Sequence, residues 1–416
     1  MTARPGWRSL ISARMLIMLL TGFSSGLPYM LTGSTLQAWL KDENVSLQAI
    51  GFFSLVGLPY TLKFLWSPLL DRWIPPFLGR RRGWALIAQV ALALAIAGLG
   101  MSHPAASPWT VALLALLLTF TAATQDIVLD AYRREFLPDG ELGSGTSIFV
   151  TGYRIAMIVS GALALVLADL IPWPAVYLTM SALMVVGIAT VLLSPEPQVP
   201  STPKTLREAV IQPFVDFFRR PGAWTILAFI LLYKIGDLMA STMTTPFALE
   251  MGFTKTEIAG MIKLFGLGAM ILGGIVGAPI MAWLGINRSL WVFGVFQSVS
   301  ILAFAALAQL GRSYPALALA VSLEYVAWGM GATAISAFMA ELTNKRFTAT
   351  QFALFTSLAR VPGVILASPT GIIAAALGWN GFFIFCALSA IPGLLLLFVV
   401  APWNGRRAAE NARAEA

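Results

Sequence analysis

Apolar blocks of about 20 or more residues recur from one end of this chain to the other. A helix of about this length is needed to cross a hydrocarbon core of roughly 30 Å. Charged residues make up only 11% of the 416 residues, whereas an average soluble protein has about 25%. So few charges cannot cover the surface of a soluble protein of this length. The sequence therefore predicts an all-α integral membrane protein.

The apolar blocks divide into two sets of six. We predict twelve spans with these approximate boundaries: 14–40, 47–71, 83–102, 108–134, 143–168, 173–193, 222–250, 254–283, 288–309, 314–343, 348–376 and 379–401. The predicted domains are a six-helix half at 1–193, a cytoplasmic linker at 194–221 and a second six-helix half at 222–416. Residues 204–220 of the linker alternate charged with apolar side chains, which fits an amphipathic helix at the membrane interface or a partly ordered connection.

Basic residues predict the orientation, because Lys and Arg concentrate in cytoplasmic loops. With the N-terminus inside, the opposite side receives only Lys41, Lys255 and Arg312. We therefore expect both termini in the cytoplasm. We interpret the start, MTARPGWRSLISAR, as a cytoplasmic lead-in rather than a cleaved signal peptide. The net charge of +8 lies in short loops, which argues against a nucleic-acid partner.

Eight charged residues fall deep inside the predicted spans. Each costs about 2.5–3.5 kcal/mol at the centre of a bilayer, so each needs a partner or a wet cavity. They are Lys63, Asp126, Arg154, Lys234, Asp237, Lys263, Glu324 and Arg360. Five are cations and three are anions, which favours a path for an anionic solute. The alternative is internal pairing between helices, for which Lys234 and Asp237 are well spaced at one helical turn.

The segment TQDIVLDAYRR in the fourth span carries two aspartates one turn apart. At 1.5 Å per residue, Asp126 lies about 10 Å inside the cytoplasmic boundary, Lys63 about 12 Å and Arg154 about 16 Å. We expect these three side chains to converge. Asp130 lies one turn nearer the boundary, beside Arg133 and Arg134, and is expected to have a different role.

Several motifs together carry a family resemblance. The loop LLDRWIPPFLGRRRGW resembles the loop signature of the major facilitator superfamily, although Ser67 replaces a Gly and residues 73–78 lengthen the gap. The chain resembles the AmpG muropeptide permeases of that superfamily from about Gly22 to Leu397. The motifs that carry this resemblance are TLQAWL, IGFFSLVGLPYTLKFLWSPLLDR, GRRRGW, QDIVLDA, GYRIAMIVSG, LYKIGD and ATQFALFTSLAR. It implies the major facilitator fold, with twelve transmembrane helices in two six-helix halves.

The resemblance also implies an activity. It predicts proton-driven import of N-acetylglucosaminyl-1,6-anhydro-N-acetylmuramic acid, with or without its peptide, across a bacterial inner membrane. Such uptake moves the solute from periplasm to cytoplasm by alternating access, serves peptidoglycan recycling and influences β-lactam resistance. The expected partners are this anionic amino-sugar or peptide substrate, protons and the lipid bilayer. We expect a monomer that needs no cofactor beyond the proton gradient and no metal.

Other classes of function remain as alternatives. A proton-coupled transporter or exporter of another anionic metabolite or drug would share the fold. A membrane enzyme would need a paired catalytic motif or a metal-ligand cluster, and the sequence offers only His103 and Cys386 as isolated candidates. A structural scaffold would need no deep charges. We therefore predict a transporter and not an enzyme.

The candidate residues fall into three roles. Asp126 is the first candidate for proton coupling, followed by Asp237 and Glu324. Candidates for binding the substrate are Lys63, Arg154, Lys263, Arg360 and Lys234 for its carboxylates, and Gln37, Tyr29, Gln125, Tyr153 and Trp328 for its sugars. The latter five fit helix packing or an interfacial position as well. The predicted cytoplasmic gate consists of Asp71, Arg72, Asp130 and Arg134.

Overall fold

A computed structural model describes residues 12–43, 45, 56–198 and 205–403 of the chain. Every regular element within these residues is helical. Ten of the described helices are long and apolar enough to cross a membrane. They are Ala13–Leu40, Arg80–Gly100, Pro108–Phe136, Leu142–Ala168, Trp173–Leu193, Ala223–Glu250, Gly260–Leu284, Ile286–Leu310, Tyr314–Leu342 and Pro369–Val400.

Two of the twelve predicted spans have no separate counterpart among these ten. Residues 46–55, in the first half of the predicted span 47–71, lie outside the described residues. The predicted break between 376 and 379 coincides with Gly378, whose φ of 65° interrupts the long helix Thr348–Ser389. Glycine adopts this left-handed conformation at little cost, so the chain turns there and continues as a further helix.

Most spans are built from two or three shorter helical pieces. The pieces are Ala13–Leu31 and Ser34–Asp42; Leu58–Leu62, the 3₁₀ turn Lys63–Leu65 and Ser67–Arg72; Leu142–Ile158, the π-helix Val159–Leu163 and Ala164–Ala168; Trp173–Leu183 and Val185–Leu193; Ala223–Leu232 and Ile235–Glu250; Lys255–Ile258, the π-helix Ala259–Phe265 and Gly266–Leu284; Ile286–Ser300 and Leu302–Leu310; Thr348–Ser389 and Ile391–Val400.

The three predicted deep lysines all lie at these irregular points of the backbone. Lys63 begins the 3₁₀ turn, Lys234 separates two helices, and Lys263 lies in a π-helix. Within a membrane, irregular backbone is tolerated where it is buried in protein or lines a polar cavity. Helical irregularities are also frequent at functional sites.

The chain divides into two compact units. We call the first unit the described residues of Gly6–Phe217 with Met339–Ser357, and the second unit those of Phe218–Phe338 with Leu358–Ala416. The segment Met339–Ser357 groups with the first unit. Hydrogen bonds to acidic side chains of the first unit, described below, hold this segment there.

In the first unit, glycines bring the helices Ala13–Leu31 and Leu142–Ile158 into backbone contact. A Cβ on Gly22 would lie 2.0 Å from the carbonyl oxygen of Phe149, and a Cβ on Gly26 would lie 2.2 Å from that of Tyr153. Small residues at four-residue spacing permit such close packing in membranes. The contact buries Ser24 and Ser25 of the first helix among their neighbours.

The second unit uses the same device. A Cβ on Gly236 would lie 2.4 Å from the carbonyl oxygen of Cys386, and a Cβ on Gly273 would lie 2.2 Å from that of Val326. Aromatic side chains fill the space beside these contacts, with the rings of Phe304 and Phe383 stacked 5.3 Å apart. The packing fixes the helices Ile235–Glu250 and Tyr314–Leu342, which carry buried carboxylates.

The predicted linker contains a helix, Leu206–Phe218. Its Asp216 accepts hydrogen bonds from Asn344 at 3.0 Å and from Gln351 at 2.8 Å, and Phe217 packs edge-on against Phe355. The helix therefore packs within the first unit against the segment Met339–Ser357.

Candidate functional site

Asp126 lies buried between helices of the first unit. The hydroxyl of Ser25 donates to its Oδ1 at 2.5 Å. The preceding residue, Gln125, donates its amide to the carbonyl oxygen of Ser24 at 2.8 Å. Gln125 is fully buried, so in this conformation its amide joins two helices, which is the packing alternative for this residue.

Asp130 lies between two cations. Its carboxylate is 3.7 Å from the ammonium of Lys63 and 3.2 Å from the guanidinium of Arg133. The depth argument from the sequence placed Lys63 level with Asp126 instead. A lysine carries its charge at the end of a flexible four-carbon stem, so the depth of its Cα does not fix the depth of its charge.

Arg133 is fully buried between aromatic rings. Its guanidinium carbon lies 4.6 Å from the centre of the Phe149 ring and 5.2 Å from that of Phe352. Rings in these positions attract a cation through their quadrupoles. Together with Asp130, they hold Arg133 in place, although the sequence analysis gave this residue no role of its own.

The remaining first-unit candidates differ in exposure. Arg154 is buried, with 5% of its surface exposed. The ring of Tyr29 lies 5.7 Å from that of Tyr60 and 6.2 Å from that of Tyr153, and Tyr29 is partly exposed. These three tyrosines form an aromatic cluster, of which the sequence analysis named Tyr29 and Tyr153. The side chain of Gln37 is exposed.

A separate network of buried charges surrounds Asp71. Arg81 donates to its Oδ1 at 2.7 Å. Its Oδ2 accepts from the backbone N–H of Thr350 at 2.9 Å and from the Thr350 hydroxyl at 2.7 Å. A carboxylate at this position satisfies free N–H groups in the first turn of the helix Thr348–Ser389 and complements the positive end of its dipole.

Glu135 completes this network from the end of the helix Pro108–Phe136. Arg81 donates to both of its carboxylate oxygens, at 2.6 and 2.9 Å, and Arg80 donates to one of them at 3.0 Å. All four charged side chains are almost completely buried. Two carboxylates and two guanidinium groups balance, so the buried network carries no net charge.

The other two predicted gate residues lie outside the network. Arg134 forms an ion pair at 2.8 Å with Asp139, in the loop that follows its own helix. Arg72 is half-buried and forms no hydrogen bond or ion pair with the described residues. The structure therefore surrounds Asp71 with Arg81, Arg80 and Glu135, where the sequence analysis named Arg72 and Arg134.

In the second unit, Lys234 and Asp237 form an ion pair at 2.7 Å, as their spacing predicted. The ammonium of Lys234 also lies 5.7 Å from the centre of the Trp328 ring. Asp237 is buried, with 4% of its surface exposed. Trp328 is half-buried, so it combines a cation contact with a partly accessible aromatic face.

Glu324 lies in the same interior, four residues before Trp328. It is 4% exposed. The hydroxyl oxygen of Ser300 lies 2.7 Å from its Oε2 and 2.8 Å from the backbone carbonyl oxygen of Gln297. Asp237 and Lys234 both lie within range of the charge on Glu324.

Two further candidates belong to the second unit. Lys263 lies in the π-helix Ala259–Phe265, and its side chain is outside those that the structure describes. Arg360 lies in the long helix Thr348–Ser389, and its side chain is exposed.

The sequence analysis gave no role to several residues that complete these sites, namely Ser25, Glu135, Arg81, Thr350 and Ser300. Glu135 follows Arg133 and Arg134 at a helix end, so it is not among the eight deep charges. The serines and Thr350 are common polar residues of membrane helices. Only their partners, more than 20 residues away along the chain, give them a role.

Comparisons with known proteins agree on one family. The sequence model of the Major Facilitator Superfamily matches residues 18–368. The anhydromuropeptide permease of Escherichia coli strain K12 is 45% identical over 390 residues, which cover 93% of this chain and 79% of that protein. The putative transporter AmpG 4 of Rickettsia conorii is 33% identical and covers 92% of this chain and 95% of its own length.

Solved structures show the same fold at much lower sequence identity. The fucose:proton symporter of E. coli superposes with a TM-score of 0.71 at 10% identity, covering 94% of this chain and 98% of that one. The ten apolar helices and this likeness describe a multi-pass, all-helical membrane protein with the major facilitator fold. The chain therefore belongs to the Major Facilitator Superfamily and, within it, to the AmpG-type permeases.

Proposed function

We propose that this protein imports anhydromuropeptides from the periplasm to the cytoplasm, driven by the proton gradient. The observation that carries the proposal is 45% identity over 93% of the chain to a protein named anhydromuropeptide permease. The transported disaccharide is N-acetylglucosaminyl-1,6-anhydro-N-acetylmuramic acid, with or without its peptide. Its uptake returns cell-wall fragments for recycling, so the protein influences the response to β-lactams.

The proposed topology places twelve helices in a bacterial inner membrane, with six in residues 1–193 and six in residues 222–416. Both termini face the cytoplasm in this arrangement, and the linker 194–221 lies on the same side. The scarcity of Lys and Arg in the opposite loops supports this orientation. The two halves alternate access to the substrate, and a single chain suffices for transport.

Cations in the interior provide the proposed contacts to the substrate. The lactyl and peptide carboxylates of a muropeptide are anions, which arginine binds through two parallel hydrogen bonds and lysine as a point charge. Lys63 and Arg154 are the candidates in the first unit, and Lys234, Lys263 and Arg360 in the second. Gln37, Tyr29, Gln125, Tyr153 and Trp328 are the proposed sugar contacts, and Tyr29 and Tyr153 belong to the aromatic cluster described above.

The Asp71 network is the proposed cytoplasmic gate. Its carboxylate binds the first turn of the helix Thr348–Ser389. Arg72 lies on the same short helix as Asp71, and Asp130 and Arg134 lie on the helix Pro108–Phe136. Opening towards the cytoplasm would break the bonds from Asp71 to Thr350. The buried guanidinium groups of Arg80 and Arg81 would then keep Asp71 and Glu135 compensated.

Asp126, Asp237 and Glu324 are the proposed groups for proton coupling. Each is a buried carboxylate, and each lies within hydrogen-bond or ion-pair distance of a polar neighbour, namely Ser25, Lys234 and Ser300 respectively. A buried carboxylate that exchanges such a neighbour during transport can take up and release a proton.

Transport by the purified full-length chain in proteoliposomes tests the proposal. With radiolabelled disaccharide outside and an inwardly directed proton gradient, we expect accumulation that a protonophore abolishes. Unlabelled anhydromuropeptide should compete, whereas unrelated anions should not. If no anhydromuropeptide is taken up, the proposed function fails. If uptake is instead driven by an outwardly directed gradient, the protein is an exporter on the same fold.

A further inference from the structure

The hydrogen bonds around Ser300 do not balance if Glu324 is ionised. The Ser300 oxygen lies within hydrogen-bond distance of two acceptors, Oε2 of Glu324 at 2.7 Å and the carbonyl oxygen of Gln297 at 2.8 Å. A serine hydroxyl has one proton to donate, and an ionised carboxylate is an acceptor only. One of the two short oxygen–oxygen contacts would then contain no proton.

A protonated Glu324 resolves the arrangement. Its carboxyl O–H donates to the Ser300 oxygen, and the Ser300 hydroxyl donates to the carbonyl oxygen of Gln297. Both contacts then contain one proton each. The hydrogen-bond geometry thus fits the neutral acid.

The charges of the surrounding interior favour the same form. Asp237 and Glu324 are each 4% exposed, and Lys234 pairs with Asp237 at 2.7 Å. Among the side chains that the structure describes, Lys234 is the cation that forms an ion pair with one of these two carboxylates. Two carboxylates and one ammonium would leave one negative charge buried, which is costly in a membrane.

We propose that Glu324 carries the transported proton and that the Lys234–Asp237 pair positions it there. The proposal rests on the proposed function as a proton-driven importer. A proton from the periplasmic side binds to the Glu324 carboxylate and forms its O–H bond, and this bond breaks when the proton leaves to the cytoplasm. One proton crosses in each cycle, with one substrate anion.

Asp237 acts through its charge. Its ion pair with Lys234 favours the negative charge on Asp237, and this charge disfavours a second one on Glu324, because like charges in one buried site oppose each other. It also engages Lys234, which would otherwise compensate Glu324. Tyr233, Tyr325 and Cys386 also interact with these carboxylates, and all three are neutral in their protonated forms.

Asp126 has a different environment. It lies in the first unit, whose buried charges on the same and adjacent helices include Lys63, Arg133 and Arg154. The charge of Arg133 lies within range of Asp126, and a nearby cation favours the ionised form of a carboxylate. We therefore choose Glu324, rather than Asp126, as the first candidate for the proton carrier.

The main test compares Glu324→Gln with wild-type protein in proteoliposomes, using the radiolabelled disaccharide. An imposed pH difference of one unit should drive about tenfold accumulation by wild type if one proton accompanies each substrate. Glu324→Gln should lose this response and reach about equal disaccharide concentrations inside and outside, while substrate exchange without a gradient persists. Glu257→Gln is the matched control. It makes the same substitution at a partly exposed ion pair, and this variant should accumulate the disaccharide as wild type does.

A second variant tests the positioning role. In Asp237→Asn, Lys234 is available to Glu324 and the repelling charge is gone, so Glu324 loses its proton more easily. Uptake should decline as the pH rises, and in this variant the decline should occur about one to three pH units lower than in wild type. A merely structural role would lower the rate at every pH without moving the profile.

The outcomes separate the two proposals. If wild type does not accumulate anhydromuropeptide, the proposed function fails before the inference is reached. If wild type accumulates it and Glu324→Gln does so equally well, Glu324 is not the proton carrier. Should Glu324→Gln fail to insert into the membrane, the pH profile of Asp237→Asn decides, and an unshifted profile overturns the inference.

Discussion

The two units of this permease solve the problem of burying charge in opposite ways. In the first unit, the acidic residues Asp126 and Asp130 share the interior with Lys63, Arg133 and Arg154. In the second unit, the acidic residues Asp237 and Glu324 share it with Lys234. Among the described side chains, the first group contains three cations and two carboxylates, whereas the second contains one cation and two carboxylates.

The difference separates two tasks that a proton-driven importer must perform. A surplus cation attracts an anionic substrate and keeps neighbouring carboxylates ionised. A surplus carboxylate can be buried at low cost only with a proton attached. The fold alone favours neither task, so we propose that the side chains at a few positions give each unit its role.

The largest expected effect comes from removing Lys234, the cation that pairs with Asp237 in the second unit. Lys234→Met leaves Asp237 buried without its ion-pair partner, which should destabilise the protein by about 3–5 kcal/mol at neutral pH. The loss should shrink as the pH falls, because a protonated Asp237 needs no counter-charge. Denaturant unfolding of the purified protein in detergent at several pH values measures this.

Lys63→Met is the matched variant in the first unit. Asp130 keeps Arg133 as a partner at 3.2 Å, so the expected cost is smaller, about 1–2 kcal/mol. Equal losses of stability for the two lysine variants would contradict the contrast between the units.

Arg154 tests whether a buried cation of the first unit binds the substrate. Arg154→Gln should raise the KM for the disaccharide about ten- to hundredfold, since a hydrogen bond to a charged group contributes about 1.5–3 kcal/mol. Arg154→Lys keeps the charge but loses the bidentate geometry, so its KM should lie between those of wild type and Arg154→Gln. A KM unchanged in both variants would exclude Arg154 from substrate binding.

The Asp71 network tests whether buried charges can stabilise contacts between helices rather than bind substrate or protons. Asp71→Asn should cost about 1–3 kcal/mol, because asparagine has no negative charge for Arg81 and keeps one acceptor oxygen where Arg81 and the first turn of the helix Thr348–Ser389 each use one. The variant should also shift the protein towards opening on the cytoplasmic side, as measured by cysteine labelling there. Thr350→Val, which removes one hydroxyl donor, is the milder comparison at about 1 kcal/mol.

The smallest expected effect belongs to Asp126→Asn. If the first unit keeps Asp126 ionised, the substitution leaves the ratio of gradient-driven accumulation to exchange within about threefold of wild type, while the KM for the anion changes. Loss of the gradient response in this variant would return the proton-coupling role to Asp126 and erase the contrast between the two units.

Much of the fold could be predicted because membrane helices obey local rules. The length of the apolar blocks predicted the spans, and Gly378 falls at the predicted break near the C-terminus. Lys234 and Asp237 could be paired from sequence, since residues three apart on a helix face each other. The same rule suggested a common face for Asp126 and Asp130 but gave no information about their partners.

The partners in the candidate sites were beyond local rules. Asp71 binds Thr350 across 279 positions of the chain, and Asp126 receives its hydrogen bond from Ser25 across 101. Depth along a helix was a useful guide to burial but a poor one to pairing, as Lys63 shows. A long side chain reaches a carboxylate one turn away from the level of its own backbone.

By itself, the sequence determined the membrane class, the helical spans, the family and the set of charges that had to be buried. These follow from composition, from the length of apolar segments and from motifs, all of which are local. Only the tertiary structure decided which charges meet, because glycine contacts such as Gly22 with Phe149 and Gly236 with Cys386 set how closely the helices approach. The net charge of each buried group, and with it the proposed division between anion binding and proton binding, depends on those contacts.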